Sequence, residues 1–105
     1  MVKLIELLVR KEGLSHDEFV DYWFETHGPI AKELPGLRRY VTSVPKDPER
    51  AGYDGVLELV FEDTAALAAA FDSEAGERTM ADAENFIEVG AGPRLVVDET
   101  VQFEV

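Results

Sequence analysis

The sequence contains no cysteine, and it has only two histidines among its 105 residues. Without cysteine the chain can form no disulfide, offer no thiolate nucleophile and build no cysteine-based zinc site. The histidines, His16 and His27, are not accompanied by a further histidine or carboxylate at a spacing typical of metal ligands. We therefore predict that the protein has no metal site.

Positive charge is scarce, because 22 acidic residues face 10 basic ones and leave a net charge of -12. Phosphate backbones and anionic lipid surfaces attract proteins of the opposite sign, so we expect neither nucleic acid nor a membrane as a partner. Only four of the basic residues are lysines. Such a surface suits a high-salt cytoplasm, where ions screen self-repulsion, and it equally suits an ordinary acidic protein.

Long apolar runs are also missing. The most apolar stretch near the start, residues 2–9, is interrupted by Lys3 and Glu6, and it is too short to cross a membrane. It also lacks the apolar centre and cleavage site of a signal peptide, so we expect a cytoplasmic protein. With 46% hydrophobic residues, the chain has enough apolar side chains for one folded domain over residues 1–105.

The order of predicted elements indicates the fold. Ser15 and Glu18 form a capping box, which starts a helix that ends at Pro35-Gly36. We expect Gly28, which precedes Pro29, to leave helical dihedrals, so that the helix kinks there. A second helix begins at Asp63 or Thr64, a short one lies within residues 73–88, and residues 45–53 read as a mobile loop. Strands are expected over residues 2–10, 37–44, 55–62 and 94–105. This β-α-β-β-α-β order predicts an α+β ferredoxin-like sandwich.

The strand patterns suggest how the two faces of the sheet are used. In the first and third strands one face is wholly apolar (Ile5, Leu7 and Val9; Leu57, Leu59 and Phe61), which fits beneath helices. The other face mixes aliphatic and charged residues, among them Glu6, Arg10 and Glu58. A second copy of the chain could cover that mixed face, so we predict a homodimer with a barrel-like space.

Several sequence motifs resemble those of the EthD family of dimeric α+β-barrel proteins. The first is Tyr22-Trp23 followed by Glu25 and His27-Gly28-Pro29; the second is the run from Leu34 to Tyr40 (LPGLRRY); a weaker one is Asp82 to Phe86. The resemblance extends over essentially the whole chain. It implies a dimer of ferredoxin-like protomers with a small-molecule pocket between sheet and helices. Relatives isomerise muconolactone-type lactones or dehydrate polyketide intermediates by proton transfer, and this implies that no metal or organic cofactor is needed.

Two residues are the candidates for catalysis. His27 titrates near neutral pH and would serve as a proton carrier; alternatively, it is a structural histidine packed on Trp23. The hydroxyl of Tyr40 would orient a carbonyl or donate a proton; alternatively, it anchors the sheet through one hydrogen bond. His16 is expected to be a solvated surface residue.

Six further residues are candidates for substrate binding, and each has a structural alternative. The aromatic ones could form the wall or mouth of a pocket, or simply belong to the core. The charged ones could hold an anionic or carbonyl group, or form a charge network that closes the dimer. The six residues are Glu6, Arg10, Tyr22, Trp23, Glu58 and Phe86.

The sequence therefore favours a cofactor-independent acid/base enzyme that isomerises or dehydrates a small cyclic or aromatic-derived molecule. The alternative is a non-catalytic protein of the same fold that binds a small molecule, haem included. A purely structural dimer is a third interpretation.

Overall fold

A computed structural model describes all residues from Met1 to Val105. Four strands and five helices make up the fold, and the order of the main elements is that expected from the sequence. The strands are β1 (Val2–Leu8), β2 (Arg39–Ser43), β3 (Gly55–Phe61) and β4 (Arg94–Asp98). The helices are α1 (His16–Tyr22), α2 (Gly28–Ala31), α3 (Pro48–Ala51), α4 (Thr64–Asp72) and α5 (Glu74–Ala83), with a π-helical turn at Trp23–His27 between α1 and α2.

The strands form one antiparallel sheet in the order β2-β3-β1-β4. The two strands that meet in the middle, β1 and β3, are distant in sequence, and the helical segments connect them to the edges. This is the ferredoxin-like arrangement, so the predicted α+β fold class is confirmed. No helix is long and apolar enough to cross a membrane.

The register corrects our assignment of faces in β1. Leu4 pairs with Leu59 and Glu6 pairs with Leu57, so these side chains point to the same face of the sheet. Leu4 and Leu59 are buried against the helices. The face of β3 was predicted correctly, whereas that of β1 was reversed. Glu6 therefore lies on the helix-covered side of the sheet, next to leucines of the core.

The opposite side of the sheet carries no helix, and we call it the open face. Its residues on the two central strands are only partly buried. Lys3 and Glu58 form an ion pair, since the Lys3 ammonium lies 2.9 Å from a Glu58 carboxylate oxygen. Lys3 also contacts Glu99. The aliphatic ones have no covering layer within the protomer. The open face comprises Lys3, Ile5, Leu7, Arg39, Val41, Ser43, Val56, Glu58, Val60, Leu95 and Val97.

The first helical segment differs from the expected kinked helix. Ser15 and Glu18 form the predicted capping box. Gly28, however, keeps right-handed helical dihedrals (φ -53°, ψ -50°), and its N–H donates to the carbonyl of Trp23, five residues back. Pro29 has no N–H to donate, and the wider π-helical turn accommodates this without breaking the helix. The prediction that Gly28 leaves helical geometry is therefore wrong.

Two other boundaries differ from expectation. Part of the predicted loop forms the short helix α3, because Asp47 caps it and Gly52 ends it with a positive φ of 77°. The last strand ends at Asp98, so residues 99–105 are not part of the sheet although they were predicted to be.

Candidate functional site

A cavity of about 130 Å³ lies between the sheet and the helices. It has 20 lining residues, of which 14 are hydrophobic, so a bound molecule would be surrounded mainly by apolar atoms. Leu4, Leu59 and Leu34 belong to this lining. The charged or titratable exceptions are few, and they are Glu6, His27, Tyr40 and Arg94.

His27 is the last residue of the π-helical turn, and its imidazole is held by an aspartate of another helix. Its Nδ1 lies 2.8 Å from Oδ2 of Asp82 in α5. The side chain is 6% exposed, and the ring centroid lies 4.7 Å from that of Phe86. Nε2 has no hydrogen-bond partner in the protein and is not sealed in the core. Because His27 lines the cavity, Nε2 is the ring nitrogen available to a bound molecule.

Asp82 is itself fixed by two further side chains. The hydroxyl of Tyr22 donates to Oδ1 of Asp82 at 2.6 Å, and the amide of Asn85 donates to the same oxygen at 3.2 Å. One carboxylate oxygen thus accepts from Tyr22 and Asn85, while the other faces His27. Such support orients a histidine ring and selects the tautomer that carries its proton on Nδ1.

Burial decides the charge state of His27. It lowers the pKa of the imidazole below the ordinary value of 6.5, and the nearby Asp82 carboxylate opposes this shift only in part. Burial alone would raise the pKa of Asp82, but hydrogen bonds from Tyr22, His27 and Asn85 lower it below 3.8. At neutral pH the pair therefore consists of a neutral imidazole and a carboxylate. Nδ1–H donates to Asp82, and Nε2 presents a lone pair to the cavity.

Tyr40 lines the cavity from β2 and contacts the tryptophan. The indole Nε1–H of Trp23 donates to the Tyr40 hydroxyl oxygen at 3.0 Å. Burial raises the pKa of Tyr40 to about 12, although the Trp23 hydrogen bond acts in the other direction. The hydroxyl is therefore neutral at physiological pH. Because its oxygen already accepts a hydrogen bond from Trp23, its O–H remains able to donate to a ligand.

Glu6 and Arg94 are paired across β1 and β4, and both line the cavity. Burial raises the pKa of the Glu6 carboxyl, and the charge of Arg94 reduces that rise. Glu6 is half-buried, whereas Arg94 is exposed at the edge of the sheet. The cavity thus has a carboxyl inside and a guanidinium toward solvent.

The structure brings together five of the eight predicted site residues around this cavity and separates three. His27, Tyr40, Trp23, Glu6 and Phe86 all line it. Phe86 is completely buried against its neighbours, so it is a wall rather than the closure of a mouth. Trp23 is likewise fully buried.

The other three are elsewhere. Tyr22 supports Asp82 and does not line the cavity, and Glu58 lies on the open face. Arg10 lies beyond the end of β1, where its guanidinium binds the buried carboxylate of Asp54 at 2.9 Å. The prediction that Glu6, Arg10 and Glu58 share one face is wrong, because the register sends Glu6 and Glu58 to opposite sides.

His16 also differs from the expectation of a solvated surface residue. Its Nδ1 lies 2.9 Å from Oδ1 of Asp54, and its side chain is 19% exposed. The chain therefore has two histidine–aspartate pairs, of which only His27–Asp82 faces the cavity. His16 provides an internal comparison for any experiment on His27.

Two residues of the site were not identified from sequence. Arg94 gave no signal, because nothing in its segment marks it as different from an ordinary strand residue. Asp82 begins one of the motifs that resemble the EthD family, but it was not predicted to be a site residue. No group of three or more histidine, aspartate or glutamate side chains is arranged to hold a metal ion.

The lowered pKa of His27 predicts a pH-dependent stability. Well above pH 6.5 the ring is neutral in both the folded and the unfolded chain. As the pH falls below 6.5, the unfolded chain takes up a proton at His27 before the folded protein does, so the free energy of unfolding falls. The decline continues until the pH reaches the lowered pKa, with a slope of at most about 1.4 kcal/mol per pH unit. Urea unfolding of the wild type and of His27→Gln, compared over this window, measures the contribution. Identical pH profiles would contradict it.

The comparisons with known proteins concern the whole fold. The family model of the EthD domain matches residues 11–90 of this chain. A solved EthD-family protein from Bacillus halodurans C-125 is 24% identical, with a TM-score of 0.80, and the alignment covers 95% of this chain and 99% of that one. No curated protein sequence matches this chain.

Two further solved structures share the fold at lower identity. One is a dimeric protein of unknown function and ferredoxin-like fold from Bacteroides fragilis NCTC 9343, with 11% identity and a TM-score of 0.69 over 93% of this chain and 95% of that one. The other is SnoaB from Streptomyces nogalater, described as a cofactor-independent oxygenase, with 13% identity and a TM-score of 0.71 over 96% and 94% of the two chains.

Proposed function

This chain belongs to the EthD family, and we propose that it is an enzyme that transfers protons on a small cyclic or aromatic-derived molecule without a cofactor. The reaction class is isomerisation or elimination of water. His27 is the proton carrier. The single observation that carries this proposal is the unpaired Nε2 of a buried, neutral imidazole that lines an apolar cavity.

The arrangement around His27 suits repeated proton transfer. Asp82 accepts from Nδ1–H, so it can stabilise the imidazolium that forms when Nε2 takes a proton from the substrate. Tyr22 and Asn85 keep this carboxylate in place. We therefore assign Asp82 the role of a positioning residue. Its side chain acts through His27 and need not touch the substrate.

Two other groups are available for the oxygen atoms of a substrate. The neutral hydroxyl of Tyr40 can donate to a carbonyl, where negative charge develops when an adjacent C–H loses its proton. The Glu6 carboxylate can accept a hydrogen bond from a substrate hydroxyl. The proton held on Nε2 of His27 can then return to the substrate at a second carbon. An isomerisation needs these two events: removal of a proton at one carbon and delivery at another.

The volume of the cavity restricts the size of the molecule. An engineered apolar cavity of about 150 Å³ accommodates benzene, and the present cavity is of about 130 Å³. One ring with small substituents is therefore the expected ligand. Haem is far larger than this space, so the haem-binding alternative is disfavoured. Binding without turnover stays a candidate, because a mainly apolar lining retains a ring whether or not a proton moves.

Hydrogen exchange distinguishes an enzyme from a simple binder. Single-ring compounds with a C–H next to a carbonyl, such as unsaturated γ-lactones and cyclohexenones, are incubated with the protein in D₂O and followed by proton NMR. Proton transfer at Nε2 predicts faster loss of that C–H signal than in buffer alone. A ligand that binds, as judged by its NMR line width, without accelerated exchange would support the binding protein instead.

We further propose that the working form is a homodimer joined through the open face. That face exposes aliphatic side chains of all four strands, and Lys3 and Glu58 already form an ion pair within the protomer. Burial of such a surface is favourable, and a two-fold axis lets both copies bury the same one. The dimeric description of the Bacteroides fragilis relative supports this assignment. The site is not on this interface, because the cavity lies on the other side of the sheet.

A further inference from the structure

Arg94 is the one permanent cation among the residues that line the cavity. It is the first residue of β4, and its side chain is exposed toward solvent. No carboxylate lies within ion-pair distance of its guanidinium, whereas Arg10 and Arg38 both have such partners. Its guanidinium carbon lies 5.3 Å from the centroid of the Phe71 ring. The guanidinium is thus held over a cavity wall with its hydrogen-bond donors unpaired.

The other charges of the site produce a gradient along the cavity. Glu6 is half-buried and lies opposite Arg94 in the register of β1 and β4, and Asp82 lies behind His27. A negative group on a ligand is repelled by these interior carboxyl groups and attracted by Arg94 at the exposed end. The ring of such a ligand fits the apolar interior. The charges therefore favour one orientation, with the ring inward and the anion outward.

We propose that the substrate of this site is a single-ring carboxylate and that Arg94 is the specificity-determining residue that binds the carboxyl group. This inference rests on the proposed function, because it names the substrate class of the same cavity. The planar guanidinium matches a carboxylate with two parallel hydrogen bonds, which a lysine ammonium cannot do. Anchored in this way, the ring reaches toward the imidazole of His27.

The chain supplies its own reporter for ligand binding. Trp23 is the only tryptophan, it is completely buried, and it lines the cavity. Its fluorescence should therefore change when a ring occupies the space. Benzoate and benzamide are suitable probes, because they have nearly the same shape and differ in charge.

The expected result is a preference for the anion that depends on Arg94. Wild-type protein should bind benzoate about 10-fold more tightly than benzamide, which corresponds to one charge-assisted interaction at a partly exposed site. Arg94→Gln should bind the two about equally, because the affinity for benzoate falls much more than that for benzamide. Arg94→Lys should give an intermediate preference. The control is Arg78→Gln, which removes an exposed arginine of α5 that does not line the cavity and should leave the preference intact.

The outcomes separate this inference from the proposed function. Equal binding of the two probes by wild type, or a preference that survives Arg94→Gln, overturns the assignment of Arg94 and leaves proton transfer standing. A clear anion preference without catalysed hydrogen exchange supports the assignment of Arg94 and contradicts the enzyme. Failure of both probes to bind at millimolar concentration, by fluorescence and by NMR, overturns the ring-sized site itself.

Discussion

Replacing His27 with glutamine should reduce the catalysed hydrogen exchange by about 10²- to 10⁴-fold, the range typical of a positioned general base. Glutamine has a similar length and can still donate to Asp82, but it offers no basic nitrogen to the cavity. The rate is measured by NMR in D₂O on a ring compound that the wild type exchanges. Ligand affinity, measured separately, should change by much less than the rate.

His16→Gln is the matched control for this experiment. His16 also lies within 2.9 Å of an aspartate, Asp54, but it is not among the residues that line the cavity. Its replacement should leave the exchange rate near that of the wild type. If the two variants lose activity equally, the loss reflects a general effect on the fold. If His27→Gln keeps the wild-type rate, His27 is a structural residue.

The second large effect is expected at the open face. Ile5→Lys should weaken the proposed dimer by at least about 100-fold, since each copy would have to bury an ammonium group, at a penalty of several kcal/mol. The protomer should remain folded, because position 5 lies directly across from Glu58 and is only partly buried there. Sedimentation velocity at micromolar concentration measures the effect.

Phe24→Lys is the corresponding control. Phe24 is an exposed apolar residue of the π-helical turn, on the helical side of the molecule, so the same kind of substitution there should not change the sedimentation coefficient. A wild-type protein that sediments as a monomer would contradict the dimer. So would an Ile5→Lys variant that stays dimeric.

The fold could be predicted because its determinants are local. The capping box at Ser15 specifies where a helix starts, and two seven-residue segments rich in aliphatic residues specify the central strands. The order of these elements leaves few topologies, and the ferredoxin-like one is observed.

The orientation of β1 could not be predicted by the same reasoning. Alternation assigns the more apolar face to the core, and in β1 that face contains Ile5 and Leu7. The actual inner face contains Glu6, because the cavity beside it tolerates a carboxyl group that a packed core would exclude. The local rule fails at a residue that lines the proposed site.

The candidate site was likewise predicted only in part. His27 could be found because Trp23 and Pro29 mark it as the end of an unusual helical turn. Its partner Asp82 lies 55 residues away, and only the packing of α5 against the π-helical turn brings the two together. A single sequence contains no signal for such a contact. Arg94 acquires its significance in the same way, from the pairing of β4 with β1.

The state of the His27 ring at neutral pH tests the account most directly. Nitrogen NMR of the protein labelled with ¹⁵N at its histidines distinguishes the two tautomers and the imidazolium, and His27→Gln assigns the signals. The account predicts a neutral ring at pH 7 that carries its proton on Nδ1, with an Nε2 signal that moves when a ring carboxylate binds. A proton on Nε2, or an imidazolium at that pH, would contradict it.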